Sequence, residues 1–397
     1  MKMELPFPVL HSLFMLNEAG YEAYVVGGSV RDALMGAKAS DWDITTSAMP
    51  DETLAVFREY RTIETGIKHG TVTVIIDDTP LEITTYRVDG NYSDGRHPDT
   101  VAFSRSLTED LKRRDFTVNA MAYHPEIGLI DPFGGHQDLE KRIVRCVGNP
   151  KERFSEDALR IVRCLRFSST LGFTIHPETA NEIHRLGHTL TYVSAERNAV
   201  EFCKLLCGKN VDNILSNYAD ALSYILPNVD FAQTSARISA VRSTVAARLA
   251  ALLFNRSAET VRKACRRLCL SNHIAKDVTT IVEYRQMPIV PTRSGVLHTL
   301  HALGPQLTNT LLHLKTILDD IDCAEFEAER NRLIADNDLC YRLQDLAVTG
   351  TDLIESGIPR GVDIGLTLNR LLCAVMDGDC PNEKEKLLEL ATKKPVQ

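Results

Sequence analysis

Val26-Gly27-Gly28-Ser29-Val30-Arg31-Asp32, followed nine residues later by Asp41-Trp42-Asp43, is the stretch that decides how this chain folds. A short apolar strand over residues 24–26 runs into Gly-Gly-Ser and then into a helix over 30–35. Glycine lets backbone N–H groups approach an anion closely, and the helix N-terminus adds a favourable dipole. Asp41 and Asp43 are two apart, so on a strand their side chains share one face, and 43–45 reads as that strand. Two carboxylates on one face make a hard, oxygen-rich site suited to Mg²⁺. Such ions neutralise a triphosphate and activate an attacking hydroxyl, and Arg31 is placed to reach the same phosphates. Taken alone, Gly-Gly is a turn and Asp-x-Asp a solvated strand end. In this order and spacing the two point to a nucleotide site.

Outward from this stretch the first third punctuates like a mixed sheet. Further strands are predicted over 70–76 and 80–87, with a helix over 52–58. Residues 89–99, rich in glycine and acids, read as a long exposed loop. Glu82, flanked by Leu81 and Ile83, is either a third carboxylate near the metal or a plain solvent-facing position. Lys112-Arg113-Arg114-Asp115-Phe116-Thr117-Val118-Asn119 offers cations to a triphosphate or an RNA backbone, Arg114 foremost; the alternative is a solvated helix face.

Glu156-Asp157-Ala158-Leu159-Arg160 comes next, extended by Arg163 and Arg166. On one helix Asp157 and Arg160 are neighbours, and the later arginines continue the row. A carboxylate accepts from an exocyclic amine, while a guanidinium donates to a ring nitrogen. Cytosine and adenine share that edge; uracil and guanine place a carbonyl there. The pair therefore suits protein-directed choice of C and A. The competing reading is a helix cap at Ser155 with an ion pair at i,i+3.

Beyond residue 150 the period becomes 3.6, over 156–171, 178–186, 195–207, 235–253, 258–268, 272–284, 307–320, 325–337 and 366–377. The expected class is α+β: a head with a mixed sheet, then an elongated all-helical remainder. A chain of 397 residues exceeds one ordinary core, so at least two domains are expected. No apolar run reaches the roughly 18 residues of a membrane span, and the N-terminal MKMELPFPVLHSLFML lacks a signal cleavage site. The ten cysteines show no C-x-x-C or zinc spacing; Cys164, Cys203, Cys207, Cys265 and Cys269 read as small buried hydrophobes in a reducing cytoplasm. A net charge of −8 disfavours nucleic acid globally, yet two local cationic stripes remain. Between Arg256 and Lys276 six cations, including Arg262, Lys263, Arg266 and Arg267, face one anion, and residues 140–168 carry eight cations against four anions.

With these residues in view, the chain resembles the class II tRNA nucleotidyltransferases, the CCA-adding enzymes, together with bacterial poly(A) polymerases. The resemblance rests on VVGGSVRDALMG, DWDITTSA, LEITTYRVDGNYSDGRHPDTVAF, DLKRRDFTVNAMAY, IDPFGGHQDL and RFSEDALRIVRCLRFSSTLGF, in family order from about residue 24 to 173. It implies that Gly28 and Arg31 hold the triphosphate, that Asp41 and Asp43 hold Mg²⁺, and that Arg114 contacts nucleotide. It further implies that Asp157 and Arg160 read the base, with Arg163 and Arg166 completing the site. The implied organisation is a catalytic head (1–145), a neck (146–207), a body (208–300) and a tail (301–397), the last two gripping tRNA. The 262–267 cations then become RNA contacts, and CTP, ATP and the tRNA 3′ end the substrates. The long segment 86–103 favours complete CCA addition over C addition alone. An A-adding enzyme or a poly(A) polymerase is the alternative, and a non-catalytic RNA-binding protein the remote one. No adjacent His-Asp pair marks an appended phosphohydrolase.

Overall fold

Alternating apolar residues build the head, in a computed structural model that describes residues 3–39, 41–89, 101–231 and 236–392. The chain runs α1 (Phe7–Glu18), β1 (Ala23–Val26), α2 (Gly28–Leu34), β2 (Asp43–Thr46), α3 (Pro50–Val56), β3 (Arg61–Ile63), β4 (Thr71–Ile76) and β5 (Thr79–Thr85). It continues through β6 (Arg87–Asp89), β7 (Val101–Phe103), α4 (Leu107–Lys112), β8 (Ala122–His124) and β9 (Gly128–Ile130). Seven strands form one mixed sheet in the order β3-β4-β5-β2-β1-β8-β9. Only β2 and β5 pair in parallel among its neighbours, setting Asp43 opposite Glu82.

Both faces of the sheet are covered. Val25, Ile44, Val72, Val74, Leu81 and Ile83 pack with Val9, Leu13, Leu16 and Phe57 of the α1–α3 side. Tyr24 and Val26 turn the other way, against Leu111 of α4 and Tyr86. Asp43, one residue before the core residue Ile44, therefore opens on the α4 side. The segment 90–100, and with it most of the long loop read from the sequence, lies outside the described residues.

Helices follow: α5 (Gly135–Glu140), a short parallel pair β10 (Ile143–Val144) and β11 (Thr174–Ile175), α6 (Pro150–Glu156), α7 (Leu159–Leu171), α8 (Pro177–Leu186), α9 (Ala195–Leu206), α10 (Val211–Asn217) and α11 (Ala219–Ser223). Then come α12 (Val245–Leu252), α13 (Ala258–Arg267), α14 (Asn272–Glu283), α15 (Arg293–Leu318), α16 (Ala324–Ala335), α17 (Gly350–Glu355), α18 (Val362–Asp377) and α19 (Lys384–Thr392). The chain divides into two compact units, Met1–Ser239 with Ser243–Val245 and Arg266–Leu270, and the remainder. The second unit has its own core around Leu297, Phe326, Leu333, Leu371 and Met376. No described helix is long and apolar enough to cross a membrane.

Several expectations need correction. Among the described residues, the helix read over 235–253 is a 3₁₀ turn (Ile238–Ala240) followed by α12 alone, with the Ser243 hydroxyl donating to the Cys207 carbonyl (2.7 Å) between them. The helix read over 307–320 is the second half of α15, which kinks where Gly304 takes φ 69° before Pro305. Cys269 is exposed at φ 47°, and Cys203 and Cys207 are only partly buried, whereas Cys164 and Cys265 are buried as expected.

Candidate active site

The turn after β1 sets the geometry. Gly27 takes φ 79°, open to glycine at little cost, and α2 starts at the next residue. A Cβ on Gly27 would stand 3.2 Å from Arg114 Nη1 and 3.7 Å from Asp43 Oδ2. A side chain there would thus press on both the cation and the carboxylate. Asp43 opens β2 and is solvent-exposed, while Asp41 lies just before the strand rather than on it. The expected common strand face is therefore corrected: β2 begins one residue after Trp42, so proximity of the two aspartates comes from the approach to the strand. Glu82, in register with Asp43 on β5 and equally exposed, joins them on that side. Burial raises the Asp43 pKa, Arg114 pulls it down, and Glu82 and Asp41 push it up again.

That crowding of carboxylates is the observation against which a metal can be judged. The donors are all hard oxygens, and a dication would relieve their mutual repulsion. Among the described residues no three His, Cys, Asp or Glu side chains form a ready cage. A Mg²⁺ ion that keeps waters and takes phosphate oxygens needs only one or two carboxylates, so the residues fit.

Beside these carboxylates lies a cavity of about 480 Å³ lined by Gly27, Gly28 and Asp43 and by residues of the 113–119 segment and of α7. Seven arginines face it against three aspartates, so the cationic surface hidden by the net charge is concentrated here. Arg31 is buried; its Nη1 donates to Asn119 Oδ1 (2.6 Å) and its Nε to Asp32 Oδ1 (2.9 Å). Arg114, just past α4, is held by Asp110 (Nη2 to Oδ2, 3.4 Å), and its Nε has no protein partner. Asp110 is fully buried, accepting from Arg113 Nε (2.9 Å) and from the Thr45 hydroxyl (3.2 Å). Burial pushes its pKa up, but Arg113 and Arg114 outweigh that and hold it below the usual carboxylate value. Asp115 is lowered likewise against burial by Arg163, whose Nη2 lies 2.6 Å away.

The base-reading pair is arranged differently from the expectation. Residues 156–171 are not one helix: α6 begins at the Asn149 cap with Pro150, and the backbone is extended at Asp157 (φ −142°, ψ 107°). Asp157 Oδ1 accepts from the Leu159 amide (3.0 Å), helping to start α7, and its Oδ2 accepts from Arg197 Nη2 (2.8 Å) of α9. The partner of Asp157 is thus Arg197, not Arg160. Arg160, nearly buried, donates to Glu156, to the Arg153 carbonyl (3.1 Å) and to the Arg113 carbonyl (3.2 Å). Both residues nonetheless line the same cavity, as do Arg163 and Arg166. The break arises because an Asp side chain that bonds the amide two residues on competes with helix continuation.

Sequence reading passed over Asp110, Asp115, Asn119, Phe167, Arg197 and Glu201. Asp115 and Asn119 lay inside the quoted cationic run, and Asp110 precedes Arg113 and Arg114 by helical spacing. Arg197 and Glu201 carried no local signal; only the packing of α9 on α7 brings them in.

Four cations were expected to touch RNA, and all stand on α13 with exposed side chains. Arg262 pairs with Glu283 (2.7 Å) and Lys263 with Glu259 (2.6 Å), while Arg267 donates to the Ile225 (2.8 Å) and Tyr224 (3.0 Å) carbonyls. Arg267 is therefore anchored to backbone as well as charged.

Backbone amides at a glycine turn, carboxylates for a cation and an arginine-lined cavity are what transfer of a nucleotide from a triphosphate demands. On this mixed sheet they define a nucleotidyltransferase, a class that works with a divalent metal ion. Residues 23–145 match the family described as Poly A polymerase head domain, 172–232 the probable RNA- and SrmB-binding site of polymerase A, and 242–391 the putative tRNA nucleotidyltransferase domain 2. The CCA-adding enzyme of Lacticaseibacillus paracasei is 39% identical over 388 residues, covering 95% of this chain and 94% of that one. That of Anoxybacillus flavithermus is 37% identical over 382 residues, with 95% and 94% covered. The crystal structure of the Bacillus stearothermophilus CCA-adding enzyme in complex with CTP superposes with a TM-score of 0.83 at 33% identity, covering 98% of this chain and 97% of that one. The chain belongs to this family, the CCA-adding tRNA nucleotidyltransferases.

Proposed function

We propose that this chain adds C, C and A to the 3′ end of tRNA from CTP and ATP, with Mg²⁺ held by Asp41 and Asp43 beside Glu82. One observation carries the reading: the Gly27 turn has the metal-type carboxylate Asp43 on one side and Arg114 of the cationic cavity on the other. When bound, the ion screens the triphosphate and makes the attacking 3′ hydroxyl more acidic. The chain's own residues do the rest. Gly28 offers its amide at the start of α2, and Arg31, Arg114, Arg163 and Arg166 bind phosphate oxygens. Asp157 accepts from the base amino group and Arg160 donates to the ring nitrogen, so the protein edge replaces a template.

The test uses tRNA lacking its terminal CCA, each nucleotide alone and then CTP with ATP, with wild type and Asp157→Ala in parallel. Cytidines add from CTP, and adenosine closes the end only when both are supplied; long A tails from ATP alone would instead make the chain a poly(A) polymerase. Loss of one buried charge-assisted hydrogen bond to the base costs about 2–3 kcal/mol. Asp157→Ala should therefore lower kcat/KM for CTP and ATP and narrow their lead over UTP and GTP. A common fall for all four nucleotides would leave Asp157 as a helix cap only.

The division into head, neck, body and tail at 145, 207 and 300 is part of this reading; the first family match ends at 145, while the other two, 172–232 and 242–391, run across 207 and 300. On it, α13 meets the RNA backbone through Arg262, Lys263, Arg266 and Arg267. Charge reversal of Arg262 and Arg266, which spares the backbone-anchored Arg267, should flatten the salt dependence of tRNA binding by roughly one unit of slope per lost phosphate contact. An unchanged slope across a filter-binding salt series would remove α13 from the interface. We place the enzyme in the cytoplasm, a location supported by ten unpaired cysteines.

A further inference from the structure

One aromatic ring stands among the arginines of the cavity. Phe167, on α7 and 7% exposed, has the guanidinium carbon of Arg166 3.8 Å from its ring centroid, that of Arg31 5.2 Å and that of Arg163 5.6 Å. Phe116 meets the same ring edge-on at 5.7 Å between centroids, fixing it from the protein side. The three cations come from two helices and are held by carboxylates: Arg31 by Asp32 (2.7 Å), Arg163 by Asp115 (2.6 Å) and more distantly by Glu201 (3.8 Å), and Arg166 by Glu201 (2.6 Å). Glu201 bridges Arg163 and Arg166, whereas Asp32 holds Arg31 within its own helix, so the ion pairs alone do not bring Arg31 to the other two. Like charge opposes the gathering: burial lowers the Arg166 pKa, and neighbouring Arg163 and Arg31 lower it further against Glu201 and Asp115.

We infer that Phe167 is a positioning residue that gathers Arg31, Arg163 and Arg166 by cation–π attraction so that their N–H edges converge on the triphosphate. An aromatic ring attracts the face of a guanidinium and leaves its in-plane donors free. A polar residue at this point would consume those donors, and a carboxylate would cancel the charge the phosphates need. The ring offsets part of the mutual repulsion without doing either. Three contacts within 6 Å of one centroid exceed the usual density of such interactions. This inference rests on the reading that the cavity takes the nucleoside triphosphate.

The experiment keeps the shape of the ring and changes its electrons. Full-length protein is made with 4-fluoro-, 3,5-difluoro- and 3,4,5-trifluorophenylalanine at position 167, and with Phe167→Leu. KM for CTP and ATP, kcat, melting temperature and competitive inhibition by inorganic tripolyphosphate are measured for each. KM and the tripolyphosphate inhibition constant should rise together, stepwise with fluorine, to about tenfold in Phe167→Leu, on the order of one or two cation–π contacts. kcat and melting temperature should stay level across the fluorinated series, which a purely packing role would not produce with a rising KM. A flat KM across the series overturns the inference. So does a rise in nucleotide KM without one in tripolyphosphate inhibition, since the ring would then be stacking on the base. If tripolyphosphate fails to compete with CTP in the wild type, the cavity does not hold the triphosphate and both readings fall.

Discussion

Asp43→Ala is expected to cut nucleotide addition by on the order of 10³-fold or more, with Asp41→Ala close behind, while the head stays folded. Asp43 is surface-exposed at the start of β2 and Arg114 keeps Asp110 as its counter-charge, so the removal leaves no buried cation unpaired. Asp43 also stands within the like charge of Glu82 and Asp41, which an added cation would relieve. Removing one hard ligand should cost several kcal/mol at the transition state and little in the ground state. Labelled CTP and ATP incorporation measures the rate. Trp42, the only tryptophan in the chain, lies between the two aspartates and reports both folding and Mg²⁺ titration by fluorescence. A mutant with near-normal turnover, or one whose Trp42 response to Mg²⁺ matches the wild type, would remove Asp43 from the metal site.

The second large effect is on stability. Asp110→Ala should destabilise the head by about 3–5 kcal/mol, because taking away one partner of a buried ion pair strands the other. Asp110 is fully buried and serves Arg113, Arg114, Thr45 and the Arg87 amide at once. Its loss frees Arg114 from its only hydrogen-bonded carboxylate among the described residues, so activity should fall with stability. The acid limb gives an independent check. The folded-state pKa of Asp110 is depressed, so its contribution is complete above the unfolded carboxylate value of about 3.9 and fades as pH falls through the lower folded value. Urea unfolding followed by Trp42 fluorescence at several pH values should show a shallower acid loss in Asp110→Asn than in wild type. Equal slopes and a loss under about 1 kcal/mol for Asp110→Ala would mean that Thr45 and solvent replace the pair.

Much of the head was legible because its signals are local. A glycine pair after an apolar strand, an alternating strand with one acid in it, and a change of period near residue 150 each depend on neighbours in sequence. The cavity was legible only as a list of cations. Arg114, Arg163 and Arg166, expected at a nucleotide, do line it, but the partners of Arg163 and Arg166 were not legible, since Asp115 and Glu201 reach them from 48 and 35 residues away along the chain.

By itself the sequence determined the α+β head and the helical remainder, because backbone periodicity and turn chemistry are written residue by residue, and its motif blocks carried the resemblance to the family. Tertiary structure alone decided three things. It put Glu82 in register with Asp43, through a parallel β2–β5 pairing that joins residues 39 apart. It gave Asp157 to Arg197 rather than Arg160, because Asp157 satisfies the Leu159 amide and ends helical geometry there. And it brought Arg31 of α2 to Phe167, beside Arg163 and Arg166 of the ring's own helix, a placement that only the packing of α2 near α7 supplies. The physical reason is common to all three: a side chain's partner is set by which elements pack together, and burial then rewards whichever charge is nearest in space.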